Sequence, residues 1–130
     1  MGKIFDKNLV SILLEEMREC VESDEFVVLQ TEKNKAFISE YALTRHLQKE
    51  LLLAISAEDY FYSSESRNFP GRYIHEFCPD HQLCAFDGNV KSLSVYVKFE
   101  IEEVDPGIQT VVISLHLPEH PVRFPFGDRK

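Results

Sequence analysis

The chain is expected to fold as one α+β domain, with N-terminal helices packed on a C-terminal antiparallel sheet. Three observations lead there. Apolar residues recur at intervals of three and four through much of the first half. Near the C-terminus two runs alternate apolar and polar residues across a Pro-Gly turn. The 130 residues, 44% of them hydrophobic, suffice for one core and lie close to the commonest domain size.

Taken in order, Leu9, Val10, Leu13, Leu14, Met17 and Val21 form one stripe of an amphipathic helix between Ile4 and Val21. Glu15, Glu16, Glu19 and Glu22 fall mainly off that stripe, on the solvated side. Ser23-Asp24-Glu25 breaks the pattern, and Phe26 to Leu29 is a short strand candidate. A short helix is expected from Asn34 to Tyr41. Thr44 suits the N-cap of the next helix, through Leu47, Leu51, Leu52 and Ile55. Ser56 with Asp59 three residues on resembles a capping box that opens another turn. His46 reads as a surface residue.

After Tyr62 the polar stretch from Ser63 to Asn68, followed by Pro70-Gly71, reads as a loop. Arg72 to Phe77 alternates weakly and is assigned as a strand that ends at Cys78-Pro79-Asp80. Leu83 to Phe86 fits neither pattern, and Asp87-Gly88-Asn89 is a turn. The tail from Pro118 onward carries Pro118, Pro121 and Pro125, so it should be extended and non-helical. The helical part therefore occupies about residues 1–62, the sheet about 72–117 and the tail 118–130.

The clearest element is the hairpin from Leu93 to Pro118. Leu93, Val95, Val97, Phe99 and Ile101 share one face, leaving Tyr96, Lys98 and Glu100 on the other. In the second run Val111, Ile113 and Leu115 oppose Val112, Ser114 and His116. Burying both apolar faces together fixes the parity of pairing, because a one-residue slip would turn every apolar side chain to water. With Asp105, Pro106 and Gly107 as the loop, Val104 opposes Ile108, Lys98 opposes Ser114 and Tyr96 opposes His116. A phenol, an ammonium and an imidazole then cluster on one open face.

The net charge of −8 favours solubility and argues against binding DNA, or any long nucleic acid, by charge alone. Up to Tyr62 the chain has 7 basic and 12 acidic residues, and after it 7 and 10, so the first half carries more of the acidic excess and the second leaves room for a locally neutral or basic cleft. No stretch approaches the roughly 18 apolar residues of a membrane span, and the first residues hold no apolar signal region. Three cysteines are too few for a disulfide scaffold, which suits a reduced, cytoplasmic protein.

His75, Cys78, His81 and Cys84, each three apart, are zinc-type ligands that could close a tetrahedral site. On a strand, however, a spacing of three points His75 and Cys78 to opposite faces. No metal site is therefore assigned, and a zinc-stabilised binding domain is kept only as an alternative. Gly-rich phosphate loops, G-x-S-x-G and H-E-x-x-H are absent.

Tyr96, Lys98 and His116 suit cleavage of an RNA phosphodiester without a cofactor. A base takes the 2′-hydroxyl proton, a fixed cation stabilises the charge on phosphate, and an acid protonates the departing 5′-oxygen. Histidine serves as either acid or base near neutrality.

The order of several motifs carries a family resemblance. Lys33 to Thr44 (KNKAFISEYALT), then Leu52 to Tyr60 (LLAISAEDY), then Val95 to Phe99 (VYVKF) and Val111 to His116 (VVISLH), resemble the MqsR family of bacterial toxins. The resemblance spans roughly Phe26 to His120. It implies a RelE-like fold and an mRNA interferase acting on single-stranded mRNA, silenced by a cognate antitoxin protein. By position, the family's active-site tyrosine falls on Tyr96 and its strand lysine on Lys98. Where the family has a lysine after the last strand this chain has His116, and where it has a glutamine in the strand after the loop this chain has His75. Tyr62 stands where the family has a further lysine. The expected site is thus His116 and His75 as acid and base, Tyr96 assisting and Lys98 on the phosphate, with Arg72, Arg123 and Tyr62 as candidate substrate contacts. The alternative is a non-catalytic module of the same fold whose open face or Pro-rich tail docks a protein.

Overall fold

A computed structural model describes residues 2–67, 69–85, 87–104 and 107–127. The helices are α1 (Lys7–Glu22), α2 (Glu32–Glu40) and α3 (Arg45–Leu53), followed by a single 3-10 turn at Ala57–Asp59. The strands are β1 (Gly2–Lys3), β2 (Phe26–Val28), β3 (Tyr60–Glu65), β4 (Tyr73–Phe77), β5 (Asp80–Cys84), β6 (Val90–Ser94), β7 (Tyr96–Val104) and β8 (Gly107–His116). A six-stranded sheet has the order β1-β3-β4-β7-β8-β2, and β5 with β6 forms a separate two-stranded ribbon. The α+β class is therefore as expected.

Local chemistry sets the helix boundaries. Asp6 caps α1 by accepting from the Leu9 N–H at 2.9 Å, Thr31 caps α2 from Asn34, and Thr44 caps α3 from Leu47, each at 3.2 Å. After α1 the chain turns through Asp24, whose φ of +63° is tolerated because a short polar side chain suits the left-handed region. The Ser56 N–H donates to Asp59 at 2.8 Å, as the capping box requires. His46 lies on the surface with Glu50 one turn away.

One face of the large sheet is buried under the helices. Val10, Leu14, Met17 and Val21 of α1 and Leu51 and Leu52 of α3 meet Tyr60, Phe77, Phe99 and Leu115 from the strands. Phe77 and Phe99 stack with centroids 5.3 Å apart at the centre of that core. Truncating either to Ala would cost roughly 3–5 kcal/mol.

Four features depart from the sequence expectation. The sheet is not wholly antiparallel, because β2 pairs with β8 in parallel, Phe26 to Val28 lying beside Thr110 to Val112. The polar stretch after Tyr62 is not all loop: Ser63, Ser64 and Glu65 belong to β3, an inner strand between β1 and β4. The apolar run from Leu93 is not one strand, because Leu93 belongs to the β5–β6 ribbon and the long strand begins at Tyr96. Among the described residues the three helices all precede β3, and β3 to β8 follow them, so the helices are N-terminal and most of the strands C-terminal, as expected.

The fourth departure concerns the hairpin register. Tyr96 opposes His116 and Lys98 opposes Ser114, as parity requires. Beyond them a bulge intervenes, so that Phe99 faces Val112 and Val104 faces Gly107 instead of Ile108. Asp105 and Pro106, the rest of the expected loop, lie outside the described residues. Past the bulge the even residues Thr110 and Val112 turn to the core, contrary to the face assignment made from the sequence.

Asn34 of α2, fully buried, repairs the backbone at this bulge. Its side-chain amide donates to the carbonyls of Leu29 (2.8 Å) and Ile113 (3.0 Å), and its oxygen accepts from the Leu115 N–H (2.8 Å). One side chain thereby satisfies three main-chain groups at the junction of β2 and β8.

Candidate active site

The face of the sheet turned away from the core helices carries a cleft of about 550 Å³. Strand alternation places its floor: Glu76 between His75 and Phe77 on β4, Tyr96 and Lys98 on β7, and Ser114 and His116 on β8. Register brings these side chains together, since Glu76 lies opposite Lys98 and Tyr96 opposite His116. Phe61 joins them because a bulge in β3 between Tyr60 and Tyr62 releases it from the alternation. The tail from Pro118 to Val122 and the start of α2 wall the cleft, and Lys33 of α2 binds Glu119 of the tail at 2.5 Å. That bond, first, holds the Glu119 carboxyl below its usual range.

The Tyr96 hydroxyl donates to Glu76 Oε1 at 2.8 Å. Burial, and then the acceptor and charge of Glu76, push the Tyr96 phenol well above its ordinary value. Tyr96 is therefore a donor at any physiological pH and cannot act as a phenolate base. The Tyr96 ring lies 5.3 Å from the His116 ring and 6.0 Å from that of Phe61, a row of three aromatic surfaces along the cleft. His116 Nδ1 sits 2.8 Å from the Leu117 carbonyl. A carbonyl only accepts, so Nδ1 carries the hydrogen and Nε2 is the nitrogen left for proton exchange. Among the described residues Lys98 has no carboxylate within ion-pair distance, so its charge is available to an anion in the cleft.

His75 does not join this group. It points to the opposite, core side of the sheet, where it is 8% exposed and lies against Phe5 and Phe99. Its Nδ1 meets Ser63 Oγ at 2.8 Å, and Ser63 in turn meets the Tyr60 hydroxyl at 2.7 Å. Desolvation lowers its pKa to about 4, which keeps it neutral near pH 7. The titratable side chain that β4 turns into the cleft is instead the next residue, Glu76. The inward parity of His75 and Phe77 already implied that Glu76 faces outward.

Arg72 lies near the same face, yet its guanidinium is held by Glu100 (3.1 Å) and Glu102 (3.3 Å) over the Phe69 ring. It is a cross-strand ion pair rather than a free phosphate contact. Tyr62 and Arg123 line a second groove that adjoins the first. His75, Cys78, His81 and Cys84 do not converge: the first two are buried, Cys84 is exposed on β5, and no three potential ligands group around a point among the described residues. The four-ligand zinc arrangement is set aside on that geometry.

No protein-family model matches the chain, and no curated protein matches it either.

Proposed function

We propose that the chain is an endoribonuclease cleaving single-stranded mRNA without a metal, and that it is the toxin of a type II toxin–antitoxin pair. Its partner would be a cognate antitoxin protein, in the cytoplasm, and its fold would be RelE-like. The observation that carries the proposal is the meeting of Glu76, Tyr96, Lys98 and His116 in one cleft, where they supply a base, a donor, a cation and an acid. The pairing with an antitoxin rests on the motif order described above.

In this reading Glu76 accepts the 2′-hydroxyl proton, and the 2′-oxygen attacks phosphorus. Lys98 and the Tyr96 hydroxyl stabilise charge on the non-bridging oxygens. His116 Nε2 donates a proton to the 5′-oxygen as the P–O bond breaks, leaving a 2′,3′-cyclic phosphate and a 5′-hydroxyl. Each general acid or base contributes about 10²–10⁴ in rate, so loss of either should all but silence the enzyme.

Induced expression in a bacterial host tests the biological half. Growth should stop and transcripts shorten with the wild-type chain, and neither should follow with Lys98→Ala or His116→Ala. Intact transcripts under full expression, together with tight binding to a neighbouring gene's product, would replace the nuclease by a non-catalytic partner of that product.

A further inference from the structure

A second groove, of about 660 Å³, opens beside the cleft and shares Phe61, Pro121 and Val122 with it. Ile4, Tyr62, Phe124 and Pro125 extend its apolar and aromatic lining, and Arg123 adds a cation. Tyr62 is 38% exposed, and its ring lies across Gly2 so closely that a Cβ there would fall 1.9 Å from the hydroxyl. The neighbouring strand thus holds the ring in place, with an open side toward solvent. The tail that supplies Arg123 and Phe124 is anchored just beyond them, where Phe126 stacks on Tyr60 at 5.5 Å.

Charge separates the two ways out of the cleft. Along β7 a phosphate would meet Glu100 and Glu102, which share the face of Lys98 and already hold Arg72 between them. Toward β3 the groove is lined, among the described residues, by no carboxylate and by one charged side chain, Arg123. Aromatic platforms beside a cation are the surface that unpaired nucleotides use, because every base presents a π-face and every link a phosphate.

We propose that this groove carries the nucleotides flanking the scissile phosphate, so that the substrate is a single strand of several nucleotides leaving the cleft over β3 rather than along β7. The inference rests on the endoribonuclease reading of the adjoining cleft.

Fluorescence anisotropy with 2′-O-methyl oligonucleotides, which lack the attacking hydroxyl, tests it without interference from cleavage. The hexanucleotide should bind at least about tenfold tighter than the dinucleotide, the contribution of one or more stacked bases. Tyr62→Ala with Arg123→Gln should remove about tenfold of the hexanucleotide affinity and lower the salt slope by about one. Thermal melts of the variant check that the fold survives these exposed changes. Equal affinity for both lengths, or an unaltered hexanucleotide affinity in the variant, overturns the inference. Length-dependent binding without cleavage of unmodified RNA supports the groove and sinks the nuclease reading alone. Cleavage without length dependence does the reverse.

Discussion

His75 makes a quantitative prediction about stability in acid. It is buried among Phe5, Phe99 and Ser63, and desolvation holds its pKa at about 4 against an ordinary 6.5. Below the ordinary value the unfolded chain takes up a proton that the folded chain refuses. Stability is therefore full above about pH 6.5 and falls as pH drops toward 4. Integrating the difference in bound protons from pH 7 to pH 5 gives a loss of about 2 kcal/mol from this one side chain. His75→Phe keeps the aromatic volume and removes the titration, while Ser63 keeps its bond to Tyr60. Urea unfolding of both proteins at the two pH values isolates the effect from the carboxylates they share. The difference in unfolding free energy between them should move by about 2 kcal/mol in favour of the variant as pH falls. Parallel pH dependences would mean that the imidazole is charged in the fold or open to water, and the burial argument would fail.

Other substitutions address separate parts of the structure. Asn34→Ala leaves two carbonyls and one N–H unpartnered in the core, so chemical denaturation should show a loss of about 3 kcal/mol; an effect under about 1 would mean that the bulge is satisfied otherwise. Glu76→Gln keeps an acceptor for Tyr96 and removes the base, so kcat should fall about 10²–10⁴-fold with the melting temperature nearly unchanged, and a rate within threefold of wild type would exclude Glu76 from proton transfer. In the native protein a thiol reagent should label Cys84 rapidly and leave Cys20 and Cys78 until unfolding, since both are buried and desolvation raises the Cys20 thiol.

Much of the fold was legible because its signals are local. Capping threonines at positions 31 and 44, the stripe of α1 and the Asp87-Gly88-Asn89 turn each state their structure within a few residues. Of these, Thr44, the α1 stripe and the Asp87-Gly88-Asn89 turn were read as such, and the Thr31 cap was not. β3 escaped because a bulge at Phe61 breaks its alternation, and Ser63 turns inward to serve a buried hydrogen-bond chain rather than an apolar core. The parallel pairing of β2 with β8 joins residues more than eighty positions apart, and nothing local encodes it. The hairpin shows a subtler limit. Parity placed Tyr96 across from His116 correctly, although the loop closes one residue earlier than expected and the bulge restores the count near the site. The candidate site was half readable for the same reason: Tyr96, Lys98 and His116 follow from one hairpin, whereas Glu76 comes from β4 and required knowing which strand lies beside β7. His75 was drawn into the site by its chemistry and excluded from it by its face.

The most direct test of the proposed chemistry is the product of RNA cleavage in excess EDTA. The purified chain should convert a single-stranded oligoribonucleotide to fragments ending in 2′,3′-cyclic phosphate and beginning with 5′-hydroxyl, and His116→Ala and Lys98→Ala should each lose at least about 10²-fold in rate. Fragments carrying 5′-phosphate, cleavage that stops when divalent ions are chelated, or full activity in both variants would contradict it.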